Sequence, residues 1–123
     1  MRTVLRSKIH RAWVTDANPD YVGSILIDED LMDMLALWNF ETVLVCDITT
    51  GYRFETYAIA GERGSGVCSV QGAAARLSSK GNCLIIMSFE ETDAPIDPQM
   101  ILVDEENRFV EYLEGAKNVQ QVH

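Results

Sequence analysis

Apolar and polar residues alternate, or run apolar, over short stretches through most of the chain, which is the period-two signature of strands. Thr42 to Ile48 and Tyr52 to Ala60 show it most clearly. Between them, Thr49-Thr50-Gly51 predicts a hairpin turn with glycine where a positive φ is needed. The N-terminal stretch carries Val4, Leu5, Ile9, Trp13 and Val14 in the manner of a strand with one core face. Further strands are predicted at Gly66 to Val70, Cys83 to Phe89, Met100 to Asp104 and Arg108 to Tyr112, the last two joined through Glu105-Glu106-Asn107. Two short helices interrupt this pattern. Asp28 is placed to N-cap one that runs to Trp38, with Ile27 and Met32 as a hydrophobic staple and Leu31, Met34, Leu35 and Trp38 as its core stripe. The other spans Gly72 to Ser79 and stops at Gly81. Many short strands with two small helices predict a mainly β single domain over residues 1–123, a compact barrel rather than a Rossmann unit. Gly115 to His123 is polar and reads as a frayed tail.

Composition and charge narrow the function classes. With 47% hydrophobic residues in 123, the chain can bury a real core. No apolar run approaches the roughly 20 residues of a transmembrane helix. Ten Lys+Arg against 19 Asp+Glu give a net charge of −9, which argues against nucleic acid as a partner. The cations are unevenly spread, however: Arg2, Arg6, Lys8 and Arg11 precede the first acidic residue, Asp16. That edge reads as a positive face around a small anionic site, and with no apolar h-region after it, not as a signal peptide. Cys46, Cys68 and Cys83 are odd in number and lack C-x-x-C spacing, as expected of reduced, buried thiols in a cytoplasmic protein. No G-x-G-x-x-G, Walker A, H-E-x-x-H or G-x-S-x-G motif occurs. The loop Gly61 to Gly66 (GERGSG) lacks the strand and long helix of a phosphate cradle and reads as a flexible connection.

Four motifs go further. Arg2 to Arg11 (RTVLRSKIHR), Tyr21-Val22-Gly23-Ser24 followed by Ile27-Asp28, Gly51 to Tyr57 (GYRFETY) and Gly72-Ala73-Ala74-Ala75 occur in that order. Together they resemble bacterial pyruvoyl-dependent aspartate 1-decarboxylases, from Arg2 to about Phe89, with the match fading beyond. The resemblance implies a double-psi β-barrel, a homotetramer with sites between subunits, and a zymogen that makes its own cofactor. It implies self-cleavage between Gly23 and Ser24 into residues 1–23 and 24–123, with Ser24 becoming an N-terminal pyruvoyl group. Glycine at position 23 is expected to allow strained dihedrals and give the hydroxyl access. Thr56 matches the residue that holds the maturation oxyanion.

In such enzymes the pyruvoyl ketone forms a Schiff base with the substrate amine, so neither pyridoxal phosphate nor a metal is implied. Tyr57 matches the proton donor. Lys8 and Arg53 match the cations that hold the substrate carboxylates. Tyr21, Gln71, Gly72, Ala73 and Ala74 match substrate-binding positions, and His10 lies near the matched site with its role open. The implied reaction converts L-aspartate to β-alanine and carbon dioxide for pantothenate biosynthesis, and it leaves room for a maturation factor. The chain departs from the family at Gln71, where asparagine is usual, at Asn82, commonly aspartate, and at Cys46, often a large side chain. Gln71 keeps open a pyruvoyl-dependent decarboxylase of another amino acid. An uncleaved barrel acting as an interaction module is the reading from a different class.

Overall fold

The computed structural model describes residues 1–114. The predicted tail from Gly115 lies outside them. The strands are β1 (Arg2–Trp13), β2 (Asp16–Asn18), β3 (Ser24–Asp28), β4 (Thr42–Asp47), β5 (Arg53–Gly61), β6 (Cys68–Gln71), β7 (Cys83–Thr92), β8 (Gln99–Val103) and β9 (Phe109–Leu113). Helix α1 (Glu29–Met34) and a 3-10 helix (Gly72–Arg76) complete the set. The fold is mainly β, as the sequence predicts.

The strands pair in the order β2-β6-β3-β5-β4-β7-β1-β8-β9. In a flat sheet β2 and β1 would stand six strand spacings apart, roughly 29 Å. Only Val14 and Thr15 separate them in the chain, a link that reaches about 11 Å. The sheet therefore curls back on itself. Backbone bonds fasten the seam: Thr15 donates to the Cys68 carbonyl (2.8 Å), Val14 to Asn82 (2.9 Å) and Gly81 to Val14 (2.8 Å). Ile9, Ile25, Ile27, Val43, Val45, Val70, Leu84, Ile86 and Ile101 fill the interior.

The N-terminal strand alternates imperfectly because it carries two bulges, between Leu5 and Ser7 and between His10 and Ala12. The extra residues are Arg6 and Arg11, so the basic edge does not form one patch. Arg6 pairs with Glu41, and Arg11 lies over the Trp13 ring at 5.8 Å.

Helix α1 begins where predicted: Asp28 accepts from the Asp30 N–H (2.9 Å), and Ile27 and Met32 are both buried. It ends early. The Leu37 N–H bonds to the Met32 carbonyl (3.0 Å) and Ala36 to Asp33 (3.2 Å), with Ala36 at φ +52°, which is a Schellman stop. Trp38 is therefore not core, and is 78% exposed. The second helix is a 3-10 turn that ends at Arg76 rather than Ser79. The loop Gly61 to Gly66 is not a loose connection either. The buried Asp28 carboxylate accepts from Gly64 (3.0 Å) and Gly66 (2.9 Å), both at positive φ, so an internal carboxylate orders the loop. Among the described residues no helix is long and apolar enough to cross a membrane.

Candidate active site

The site starts where β3 meets β6. Ser24 opens β3 and is buried, paired in register with Gln71 at the end of β6. Its hydroxyl donates to Gln71 Oε1 at 3.2 Å. The longer side chain at position 71 thus reaches the serine rather than overshooting it. Immediately after Gln71, Gly72 takes φ +79° and brings its backbone against the Gly23–Ser24 junction. A Cβ there would sit 2.8 Å from the Gly23 nitrogen, closer still to the Gly23 Cα, and 3.3 Å from the Tyr21 carbonyl oxygen. Gly23 itself does not carry the expected strain. Its φ lies outside the left-handed region, and a Cβ on it would meet only the Gln71 backbone carbonyl oxygen at an ordinary 3.7 Å. The conformational demand for glycine at this junction therefore falls on Gly72.

Strand β5 supplies the next residues. Its parallel register with β3 pairs Ile25 with Ala58. One step back along both strands puts Ser24 level with Tyr57 and on the same face, with Thr56 next to Tyr57 on β5. Tyr57 and Thr56 are half-buried. The Tyr57 ring contacts Phe40, centroids 5.9 Å apart. Ala73 is exposed and Ala74 half-buried on the 3-10 turn, while Tyr21 is 56% exposed.

The cations stand apart from this group. Arg53 is exposed at the start of β5, four residues and about 13 Å before Tyr57. Lys8 is opposite Met87, Met87 opposite Leu44, and Leu44 opposite Glu55, so roughly 14 Å of sheet separates Lys8 from β5. His10, Ile85, Cys46 and Arg53 form the neighbouring row. Directly opposed residues share a face, and the intervening positions Ile9, Ile86 and Val45 point into the core. Lys8, His10, Cys46 and Arg53 therefore line the outer face together, with half-buried Leu44, Ile85 and Met87 among them. Burial lowers the Lys8 pKa from the ordinary lysine value, against a smaller opposing pull from the Cys46 thiol.

The three cysteines are free. Cys46 is half-buried, whereas Cys68 is buried, with its pKa pushed up to about 12 by desolvation and by Cys83. Cys83 is raised chiefly by burial. Asn82 is a structural residue: it and Ser78 each donate to the buried Asp47 carboxylate at 2.8 Å, and that carboxylate also holds the Thr49 and Thr50 N–H groups of the hairpin turn. No sequence signal marks Phe40, and Asn107 is marked only as part of a turn. Asn107, buried at φ +59°, bonds to both Trp13 backbone groups and to the Gly66 carbonyl.

Comparison with known proteins bears on the whole assembly. The aspartate decarboxylase family model matches residues 1–110, well past Phe89, where the motifs fade. The chain is 50% identical over 112 residues to an aspartate 1-decarboxylase of Acetivibrio thermocellus, covering 88% of this chain and 89% of the relative. It is 50% identical over 111 residues to one of Leptospira biflexa, covering 86% and 94%. A Clostridium botulinum aspartate 1-decarboxylase is 46% identical over 123 residues, covering 98% and 90%. On this evidence of shared sequence, the chain belongs to the aspartate decarboxylase family.

Proposed function

We propose that the protein is a self-cleaving, pyruvoyl-dependent decarboxylase that converts L-aspartate to β-alanine and carbon dioxide, feeding pantothenate biosynthesis in the cytoplasm. The observation that carries the reading is the junction. Ser24 is buried, its hydroxyl is oriented by Gln71, and Gly72 packs on Gly23 beside the peptide bond to be broken. Family membership and the names of the relatives supply the substrate.

In maturation, Ser24 Oγ attacks the Gly23 carbonyl carbon, and the Gly23–Ser24 amide nitrogen leaves that carbon to become an amine. The Gln71 amide oxygen, accepting a hydrogen bond from the serine hydroxyl, aims an oxygen lone pair at the carbonyl. Thr56, next to Tyr57 on β5, offers a hydroxyl to the developing oxyanion. The resulting ester eliminates, separating residues 1–23 from 24–123, and hydrolysis then releases ammonia. The buried Ser24 side chain, with polar Gln71 beside it, fits a ketone at this position.

The pyruvoyl group, once formed, supplies a carbonyl for the substrate amine and a sink for the electron pair left by departing carbon dioxide, without pyridoxal phosphate or a metal. Tyr57, on the Ser24 face, returns a proton from its phenol oxygen. Lys8 and Arg53 hold the two carboxylates, Arg53 in the bidentate manner open to a guanidinium. In their own protomer roughly 13 Å of strand separates Arg53 from Tyr57, and roughly 14 Å of sheet separates Lys8 from β5. That separation favours a site completed by the cations of a second copy, in keeping with a double-psi barrel assembled as a homotetramer with sites between subunits. The apolar Leu44, Ile85 and Met87 around the cations suit such an interface.

The test is direct assay of purified protein with aspartate, following β-alanine by NMR. Wild type should form it and Ser24→Ala should not. Mature wild type that ignores aspartate and turns over glutamate would replace the substrate assignment and leave the cleavage chemistry in place.

A further inference from the structure

The turn between α1 and β4 contains a contact that none of these steps uses. Phe40 adopts φ +69°, a left-handed conformation that bulky residues rarely take. Such a backbone persists only where its surroundings over-determine it. Here they do. The Phe40 N–H donates to the Ala58 carbonyl (2.8 Å), Ala58 returns a bond to the Glu41 carbonyl (2.9 Å), and Ala60 donates to Asn39 Oδ1 (2.7 Å). These three bonds fasten the turn to β5 immediately beyond Tyr57. A second set clamps it from the other side. The Glu41 carboxylate accepts from the Trp38 N–H (3.0 Å) and pairs with Arg6, whose guanidinium also donates to the Ala36 carbonyl (3.0 Å) and to Ser88 Oγ (3.1 Å).

All of this holds a side chain that the core does not need, because Phe40 is 73% exposed. Its ring meets the Tyr57 ring, with centroids 5.9 Å apart and planes inclined by 40°, within the range of favourable aromatic pairs. We infer that Phe40, held in a left-handed turn by the Arg6–Glu41 pair, is a positioning residue that fixes the Tyr57 ring so that its phenol oxygen meets the substrate. The inference rests on Tyr57 as the proton donor. It adds a residue that touches neither substrate nor the cleavage junction, and so it affects one step only.

The experiment compares Phe40→Ala, Phe40→Gly and Phe40→Tyr with Tyr57→Phe, each as the full chain, measuring self-cleavage, kcat and KM for aspartate. Phe40→Ala should cleave like wild type and keep its KM but lose about tenfold in kcat, since small misplacements of a reacting group cost one to two orders of magnitude. Phe40→Tyr, which keeps a ring, should restore kcat. Phe40→Gly relieves the backbone and should raise Tm while sharing the low kcat, so a folded ring-less variant remains even if alanine destabilises the turn. A fall in kcat below about fivefold in both ring-less variants, with Tyr57→Phe inactive, overturns the positioning role alone. Tyr57→Phe with wild-type turnover overturns the donor assignment and this inference with it.

Discussion

Replacing Gly72 by alanine perturbs the junction without touching Ser24, Thr56 or Gln71. Two costs are separable. Holding alanine at φ +79° costs roughly 1–2 kcal/mol. The new methyl would also lie 2.8 Å from the Gly23 nitrogen. Ordinary contact needs about 3.5 Å between such atoms, so Gly23 must shift by at least about 0.7 Å. A misplacement of about 1 Å costs on the order of 10²-fold in rate, or about 2.7 kcal/mol of barrier, and here the displaced atoms flank the carbonyl that Ser24 attacks. Gly51→Ala is the control, because Gly51 sits at φ +82° with nothing within 4 Å of its missing Cβ. Both variants should lower Tm, Gly72→Ala by more, and only Gly72→Ala should slow cleavage. The assay is the rate at which intact chain disappears on denaturing gels or by mass. A folded Gly72→Ala that cleaves at the wild-type rate refutes the view that Gly72 sets the geometry of the junction.

Co-expression of Ser24→Ala with Arg53→Ala subunits should recover aspartate turnover that neither variant shows alone, since a mixed oligomer contains sites with both groups intact; no recovery would place each site within one protomer. Because burial lowers the Lys8 pKa and only the protonated amine holds a carboxylate, aspartate KM should rise with pH below the range of an ordinary lysine. Lys8→Arg should move that rise to higher pH, as a pH series of KM would show. Asn107→Ala leaves the Trp13 N–H and the Trp13 and Gly66 carbonyls without their partner, at about 1 kcal/mol or more each. The expected loss is about 3 kcal/mol in denaturant unfolding, and a loss under about 1 kcal/mol would contradict the role of Asn107 as a strut between β1 and the Gly66 loop.

Period-two patterning made most of the strands legible, because one face of each is buried and glycines mark the turns. What escaped the sequence was decided by contacts distant along the chain. The helix stop at Ala36 lacks the glycine that usually announces it, and so Trp38 extended an apolar stripe that the Schellman bonds to Met32 and Asp33 had already cut. The bulges at Arg6 and Arg11 turned a basic edge into separate contacts. Gly23 drew attention as the residue before serine, yet the close approach that requires glycine is made from Gly72, 49 positions later and visible only once β3 lies beside β6. The candidate residues themselves could be named from motifs. Their separation, with Tyr57 beside Ser24 and the cations roughly 13–14 Å further off along or across the same face, follows from strand register, which no local pattern encodes.

The central claim is that the Gly23–Ser24 bond breaks itself to create the reactive terminus. It is tested most directly by denaturing mass measurement of the purified full chain after prolonged warming. The expected result is two species, residues 1–23 and residues 24–123, the larger lighter by one ammonia than a serine-headed chain and lacking a free amine. A single intact chain, or a larger fragment that begins with serine, would contradict it.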